Sequence, residues 1–289
     1  MHFNSVDIDW GYLLDRLEHM LDLGEEFLTR KLSEYQFDPG LFASLLVFRW
    51  HQEDDAGVLR PVVHPDLPDL GSLLGIDPAL QRLRQNTLQF LHGAPANHVL
   101  LWGARGSGKS SAVKGLLGEF GEAGLRLVAI RREDLSRLPA ICAQLRPQPY
   151  RFILFCDGLN LDGPESDYRE LSALLDGGLE ARPDNVLVYA TCNHLQPYPA
   201  DDANEAYPEQ CPLADCFGIT LGFPATSEQT YLAVVQQLAD QRQLPVSPEV
   251  LTAEARQWAA RRRTRSGRTA RQFIDDLAGR LQLSTPDTN

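Results

Sequence analysis

The sequence lacks an apolar run of about 18 residues, the length that a membrane-spanning helix requires. Its first 20 residues, MHFNSVDIDWGYLLDRLEHM, also lack the basic and then apolar pattern that marks a secretory signal peptide. We therefore expect no membrane span and a cytoplasmic location.

Cysteine is scarce and odd in number, so a framework of paired disulfides is not expected. The five cysteines are Cys142, Cys156, Cys192, Cys211 and Cys216. Three of them lie in or near apolar runs, which predicts buried and reduced thiols. Cys211 and Cys216 have no second pair of ligands beside them, so a zinc site is not expected either.

Positive charge is also scarce, because 27 lysines and arginines face 39 acidic residues and leave a formal net charge of −12. Binding along a nucleic-acid backbone needs a clustered positive field, so nucleic acid is not an expected partner. What is present is a chain of 289 residues that is 43% hydrophobic. That is enough for an α/β core and one or two smaller domains.

Residues 1–65 are predicted to form a small helical region followed by a linker. Apolar residues recur at helical spacing at Leu13, Leu14, Leu17, Met20, Leu21, Phe27, Leu28 and Leu32. A second apolar stretch, LFASLLVFRW, follows at 41–50, and the proline-rich RPVVHPDLPDL has the composition of a linker. We expect a helical hairpin packed on the main domain; a docking surface for a partner protein is the alternative.

Residues 66–225 alternate strand and helix patterns. Five short apolar runs rich in Val, Ile and Leu are predicted strands: HVLLW (98–102), LRLVAI (125–130), FILFC (152–156), NVLVYAT (185–191) and GITLGF (218–223). Such runs favour a parallel five-stranded sheet that is buried on both faces by helices.

Residues 226–289 have only helical patterns and are predicted to form a C-terminal helical lid. TSEQ resembles a capping box, with Thr226 as the cap and Gln229 three residues later. Two further helices are expected near 248–263 and 268–282.

The strongest chemical signal is GARGSGKS, from Gly103 to Ser110, which matches G-x-x-x-x-G-K-[ST]. It follows a predicted strand and opens a predicted helix, the context that a phosphate-binding loop requires. Closely spaced backbone N–H groups and a helix N-terminus bind phosphates there. Lys109 is expected to contact the β- and γ-phosphates, and the Ser110 hydroxyl to bind Mg²⁺.

Two polar residues end later strands. Asp157 follows FILFC and suits a carboxylate linked to Mg²⁺, although a turn or cap role is the alternative. Asn193 ends YATCN, and its amide is placed to orient water or contact the γ-phosphate, although Asn also favours strand ends for structural reasons. Ligands of open α/β sheets bind at the carboxyl ends of the strands, so both residues are expected beside the phosphate loop.

This order of a P-loop, an Asp-ended strand, an Asn-ended strand and a helical lid resembles an AAA+ ATPase. Over roughly residues 45–282 the sequence further resembles the bacterial domain-of-unknown-function family 815. The segments that carry this resemblance are LLGID (73–77), NHVLLWGARGSGKSS (97–111), RFILFCDGL (151–159), GGLEARPDNVLVYATCN (177–193), FGITLGF (217–223) and SGRTARQFIDDLAG (266–279).

The resemblance implies an ATP and Mg²⁺ site between the core and the lid, in a homo-oligomer or a complex with a protein partner. The implied nucleotide-binding residues are Gly75, Ile76, Gly103, Ala104, Arg105, Gly106, Ser107, Gly108, Lys109, Ser110, Ser111, Arg268 and Arg271. Gly75 and Ile76 would lie near the adenine. Arg271 resembles the lid arginine that contacts the phosphates, with Arg268 as the alternative; Asn193 and Arg271 are the implied catalytic residues, and Ser110 and Asp157 the metal ligands.

Seven arginines fall between Arg256 and Arg271. A solvated helix face explains most of them. A nucleic-acid patch is the alternative, which lacks interleaved aromatic residues beyond Trp258.

Two positions depart from the family pattern. Gly158 stands where relatives carry a second acid, and Cys216 stands where they carry an arginine that contacts a neighbouring subunit's nucleotide. The favoured interpretation is an ATP-binding switch or scaffold with weak hydrolysis. An active AAA+ ATPase that remodels a protein or nucleoprotein client, with Asp162 or Glu165 as the replacement acid, is the alternative, and a small-molecule kinase is a third.

The segment GGLEARPDN precedes the Asn-ended strand, so it is expected at the opposite sheet edge from the nucleotide. Glu180, Arg182 and Asp184 are predicted to have a structural or partner-contacting role, with an internal Glu–Arg pair as the simplest form.

Overall fold

The computed structural model describes residues 10–34, 38–53, 56–159, 169–177, 181–193 and 212–284. In this part of the chain the strands are β1 (Val47–Glu53), β2 (Ala56–Pro61), β3 (Val99–Gly103), β4 (Leu125–Ile130), β5 (Arg151–Cys156), β6 (Val186–Cys192) and β7 (Ile219–Phe223). The helices are α1 (Trp10–Glu34), α2 (Leu41–Ser44), α3 (Asp77–Leu91), α4 (Lys109–Phe120), α5 (Leu138–Leu145), α6 (Arg169–Asp176), α7 (Pro212–Asp215), α8 (Glu228–Gln241), α9 (Pro248–Arg262) and α10 (Gly267–Ser284).

All seven strands form one sheet in the order β2-β1-β4-β5-β6-β3-β7. Every described pairing is parallel except that of β1 with β2. Strand β6 lies between β3, which leads into the phosphate loop, and β5, which leads into Asp157. The carboxyl ends of these three strands therefore meet at one edge of the sheet.

The core occupies both faces of the sheet, because successive side chains of a strand point to opposite faces. In β3, Leu100 packs into one cluster and Val99 and Leu101 into the other, and all three are fully buried. Helices α3 and α4 contribute to the second cluster, and α5 and α6 to the first. This confirms the predicted α/β fold and its buried strands.

The five predicted strands are confirmed, and β1 and β2 extend the sheet to seven. The helical prediction for residues 41–50 is wrong beyond Ser44, where α2 ends and β1 soon follows. The apolar run fitted a helix, but Phe48 and Trp50 point inward and Arg49 outward, which is the period of a strand. Pairing of Phe48 with Val128 of β4 decides between the two structures.

Helix α1 confirms the helical pattern near the N-terminus but not its predicted packing. Its described side chains at Leu14, Leu17, Met20 and Leu21 are each more than half exposed. No helix among the described residues is long and apolar enough to cross a membrane.

The lid is formed by α8, α9 and α10 around a cluster of its own. Tyr231, Leu251 and Phe273 are among its buried members, one from each helix. The cap of α8 is Ser227 rather than the predicted Thr226, because the Ser227 hydroxyl accepts the Thr230 N–H over 3.0 Å.

The cysteines behave as expected where they are described. Cys142, Cys156 and Cys192 are buried and Cys216 is half-buried, and none of these four forms a disulfide. Burial raises the pKa of Cys156 to about 12. Cys211 lies outside the described residues.

Substitution of Trp50 tests whether β1 belongs to the core. Its side chain is 1% exposed and covers Gly57 of β2 so closely that a Cβ there would lie 1.9 Å from Cζ2 of the indole. We expect Trp50→Ala to lower the free energy of unfolding by about 3–5 kcal/mol, measured by urea denaturation with circular dichroism. Arg49→Ala, on the exposed neighbour, should change it by no more than about 0.5 kcal/mol. Equal effects of the two variants would contradict the buried hairpin.

Candidate nucleotide-binding site

A cleft of about 650 Å³ lies between the carboxyl edge of the sheet and the lid. Most of the predicted site residues line it: Ile76, Arg105, Gly106, Ser107, Gly108, Lys109, Ser110, Ser111, Asp157, Asn193, Arg268 and Arg271. Three others lie beside it. A Cβ on Gly75 would meet the Thr230 methyl group at 2.8 Å, Gly103 faces the Phe223 backbone, and Ala104 lines a second cavity of about 590 Å³.

The phosphate loop is closed against the start of α10. Gly106 has a φ of +80°, and a Cβ there would lie 2.8 Å from Ser266 Oγ. Glycine alone meets both demands without strain. Ser107 Oγ, in the same loop, is buried and has no hydrogen-bond partner among the described residues, so a polar ligand at the loop would satisfy it.

Lys109 begins α4 and is 5% exposed. Its Nζ donates to the carbonyl oxygens of Gly103 over 2.7 Å and Ala104 over 2.9 Å. Burial lowers the pKa of Lys109, while the Asp157 carboxylate acts in the opposite direction. The ammonium is thus held at the mouth of the loop. Burial disfavours its charged form, and an anionic ligand there would favour that form again.

Asp157 directly follows β5 and accepts hydrogen bonds from two hydroxyl groups. Ser110 Oγ and Thr191 Oγ1 each donate to its Oδ1 over 2.7 Å. Thr191 Oγ1 in turn accepts the backbone N–H of Gly158 over 2.8 Å. These contacts fix the orientation of the carboxylate beside the N-terminus of α4.

The oxygens at this point fit Mg²⁺, which prefers a few protein oxygens together with phosphate and water. Ser110 Oγ and Asp157 Oδ1 lie close enough to face one cation. Across the described ranges, no cluster of three or more His, Cys, Asp or Glu side chains forms a metal cage by itself. The donor set therefore suits a cation that arrives with the nucleotide and, when bound, neutralises phosphate charge.

The lid brings two further cations to the cleft. Arg268 and Arg271 lie in the first two turns of α10, and both line the cleft. Opposite them, Lys114 donates to Asp66 Oδ2 over 2.7 Å. That contact, together with the more distant charge of Arg271, holds the pKa of Asp66 below its usual value.

At two described positions, the groups that the family pattern leads one to expect are replaced by Gly158 and Cys216. Gly158 lines the cleft with a φ of +75°, and a Cβ at this position would face open space. Cys216 follows α7, and its thiol donates to Asp176 Oδ2 over 3.1 Å. Burial and the Asp176 carboxylate raise the pKa of Cys216 to about 12, so the group is an uncharged thiol. Asp162, Glu165 and Glu180 lie outside the described residues.

A family profile described as a protein of unknown function (DUF815) matches residues 43–281. The chain belongs to the DUF815 family. Its fold is a mostly parallel α/β sheet with a phosphate loop and a C-terminal helical unit, the fold class that the sequence predicted.

Solved structures of Thermotoga maritima RuvB are similar to this chain over part of its length. One, described as a Holliday junction branch migration motor, is 15% identical over 72% of this chain and 71% of that chain, with a TM-score of 0.45. A point mutant of the same protein is 12% identical over the same shares, with a TM-score of 0.47. Comparison with curated proteins found no match.

Several residues of the DUF815 cleft were not predicted. Thr191 lies two residues before Asn193. Because side chains two apart in a strand lie on the same face, this spacing would have indicated Thr191 as a residue of the cleft. Lys114 follows Ser110 by four on α4, which is one helical turn. The lid wall formed by Thr230, Val234, Gln237 and Leu238 gives no motif that sequence reasoning would have recognised.

The far edge of this DUF815 sheet holds Arg182, as expected. His98, just before β3, is 4% exposed, and its Nδ1 accepts the Val188 N–H over 2.9 Å. Arg182 Nη1 lies 2.9 Å from Nε2 of the same ring. A protonated ring has no acceptor for either neighbour. Burial, followed by the charge of Arg182, lowers the pKa of His98 to about 3.

His98 should make stability depend on pH. Its pKa lies near 3 in the fold and near 6.5 when unfolded, so the unfolded chain binds the extra proton between these values. Stability is therefore lost as pH falls below about 6, by up to about 1.4 kcal/mol per pH unit. We expect His98→Asn, which keeps an acceptor for Val188, to lose about 1 kcal/mol less than the natural protein between pH 5.5 and pH 4.5. Urea denaturation at both pH values measures this, and parallel losses would contradict a neutral His98.

Proposed function

We propose that this DUF815 protein binds Mg-ATP in the cleft, hydrolyses it slowly, and acts in the cytoplasm as a nucleotide-dependent switch or scaffold for a protein partner. The observation that carries the proposal is the meeting of Lys109, the Ser110–Asp157 pair and the lid arginines in one cleft. These groups come from three parts of the chain and share one chemistry, which is the binding of phosphate and its cation.

Each group has a defined part in binding. The backbone N–H groups of the loop and the N-terminus of α4 attract phosphate oxygens. Lys109 adds a charge at the β- and γ-phosphates, and Arg268 and Arg271 approach them from the lid. Ser110 and Asp157 hold the cation, while Thr191 keeps the Asp157 carboxylate oriented.

Slow hydrolysis is inferred from the residues at positions 158 and 216, which are glycine and cysteine. Gly158 has no group to take a proton from water, and general-base catalysis contributes about 10²–10⁴-fold. The Cys216 thiol is uncharged, so it brings no cation to a neighbouring nucleotide, and an arginine in that role is worth about 10³–10⁵-fold. Asn193 still lines the cleft and can orient water.

A switch role fits the way the lid is attached. The lid has its own core and approaches the main domain closely at Gly75–Thr230 and at Gly106–Ser266. A nucleotide that contacts both the phosphate loop and Arg271 binds best to one lid orientation. It therefore shifts the population of lid positions toward that orientation.

An active ATPase that remodels a client is the alternative, and the presence of both Asn193 and Arg271 in the cleft favours it.

Nucleic acid is not the partner we propose, because several lid arginines are engaged within the lid. Arg256 and Arg265 both pair with Glu228, and Arg262 stacks on Trp258. A homo-oligomer or a protein partner is proposed instead; an increase of turnover on adding duplex DNA would contradict this.

Binding is tested with Lys109→Ala. Loss of a charge-assisted contact to phosphate should weaken Mg-ATP affinity at least about tenfold, measured by isothermal titration calorimetry. Arg182→Ala, at the far sheet edge, is the control and should leave the affinity unchanged. A tenfold loss on Arg182→Ala would contradict the placement of the nucleotide, and an unchanged affinity of Lys109→Ala would contradict the site.

Hydrolysis is tested by restoring both missing groups. Gly158→Asp combined with Cys216→Arg should raise turnover at least about a hundredfold, more than either change alone, and only at concentrations where subunits assemble. Open space at Gly158 accepts the side chain, and Asp tolerates a positive φ better than most residues. Gly158→Asn with Cys216→Arg is the matched control without a base. Brisk turnover of the natural protein that disappears in Lys109→Ala would overturn the slow-hydrolysis proposal.

A further inference from the structure

Helix α1 has an apolar stripe and an acidic stripe side by side. Leu14, Leu17 and Leu21 recur at helical spacing and are each more than half exposed. An acidic residue directly follows each of these leucines, so a second stripe runs along the helix beside the first. This acidic stripe is exposed over its whole length and consists of Asp15, Glu18, Asp22 and Glu25.

Nothing in the described part of the chain covers these two stripes. None of the three buried clusters found there includes a side chain of α1. Among the described side chains of α1 the single cation is Arg16, which donates to the Tyr12 hydroxyl over 2.7 Å. A second α1 would therefore offer little positive charge to the acidic stripe. The surface that complements α1 has arginines next to small or apolar residues.

The second cavity, of about 590 Å³, has this composition and lies between the phosphate loop and the lid. Its charged lining is four arginines and one glutamate, a net of three positive charges. Glu228 is shared by Arg256 and Arg265. The other two arginines, Arg105 and Arg263, form no ion pair with a described residue. The rest of the lining includes small and apolar residues, namely Ala104, Ala225, Tyr231, Ala259 and Ala260.

We propose that α1 of one copy docks on this cavity of a second copy, with its leucines on the alanines and its carboxylates on the arginines. The inference rests on the proposed function, because it names a second copy of this chain as the protein partner. Charge complementarity selects this occupant, since opposite charges across an interface steer association and fix its register. Both surfaces are exposed in a single chain, so the contact joins two copies. A docked helix would contact the phosphate loop and the lid together and would favour one lid orientation.

The test reverses the charge of each surface separately. Glu18→Arg combined with Asp22→Arg reverses the acidic stripe, and arginine is a good helix former at these positions. Arg263→Glu changes the cavity without altering a residue that lines the nucleotide cleft. Arg137→Glu is the matched control, because it makes the same change on an exposed arginine that lines neither cavity.

Self-association is measured by sedimentation equilibrium at about 0.05 M salt, where exposed charges are weakly screened. The natural protein should associate, and each charge-reversed protein should have a dissociation constant at least about tenfold higher. Arg137→Glu should associate as the natural protein does. A mixture of the two charge-reversed proteins should regain association, because the unaltered cavity of the first meets the unaltered α1 of the second.

The outcomes separate this inference from the proposed function. A monomeric natural protein, an unchanged dissociation constant in Arg263→Glu, or a mixture that does not associate would each overturn the docking of α1. If calorimetry then still shows Lys109-dependent binding of Mg-ATP, the nucleotide site stands and only this inference fails. Restored association of the mixture in a protein that binds no Mg-ATP would support the docking and overturn the proposed function. Urea denaturation of each variant confirms that it is folded.

Discussion

The placement of β6 between β3 and β5 is the constraint on which the site depends. Its register with β3 sets Trp102 beside Cys192, and its register with β5 sets Cys156 beside Ala190. Because side chains alternate along a strand, a shift of one residue would turn Thr191 away from Asp157 and into the opposite core. The buried apolar residues on both faces thus fix the positions of the polar groups at the sheet edge.

At that edge, opposite charges stabilise groups that burial alone would disfavour. Lys109 is almost fully buried, and its ammonium is supported by two carbonyl oxygens and by the nearby Asp157. Asp157 is in turn fixed by the hydroxyl groups of Ser110 and Thr191. Each member therefore limits the freedom of the next, and a ligand with phosphate and Mg²⁺ meets groups that are already oriented.

Sequence patterns could predict the parts of this site that depend on local chemistry. The phosphate loop and the strands before Asp157 and Asn193 follow from glycine spacing and apolar runs. The β1–β2 hairpin could not be predicted in this way, since the run around Trp50 fits a helix until β4 supplies a partner. The place of Val234 and Leu238 in the cleft could not be predicted either, because it depends on how α8 faces Ile76.

Under the proposed function, the lid would allow nucleotide binding and turnover to be separated. Arg268 and Arg271 of α10 would contact the phosphates, whereas Val234 and Leu238 of α8 line another part of the same cleft. Both helices share one buried cluster that includes Tyr231 and Phe273. Removal of the γ-phosphate would weaken the contacts of α10 and leave those of α8 intact, which would favour a different lid orientation. Slow hydrolysis would then set how long each lid orientation lasts, which is the property that a switch needs and a fast motor does not.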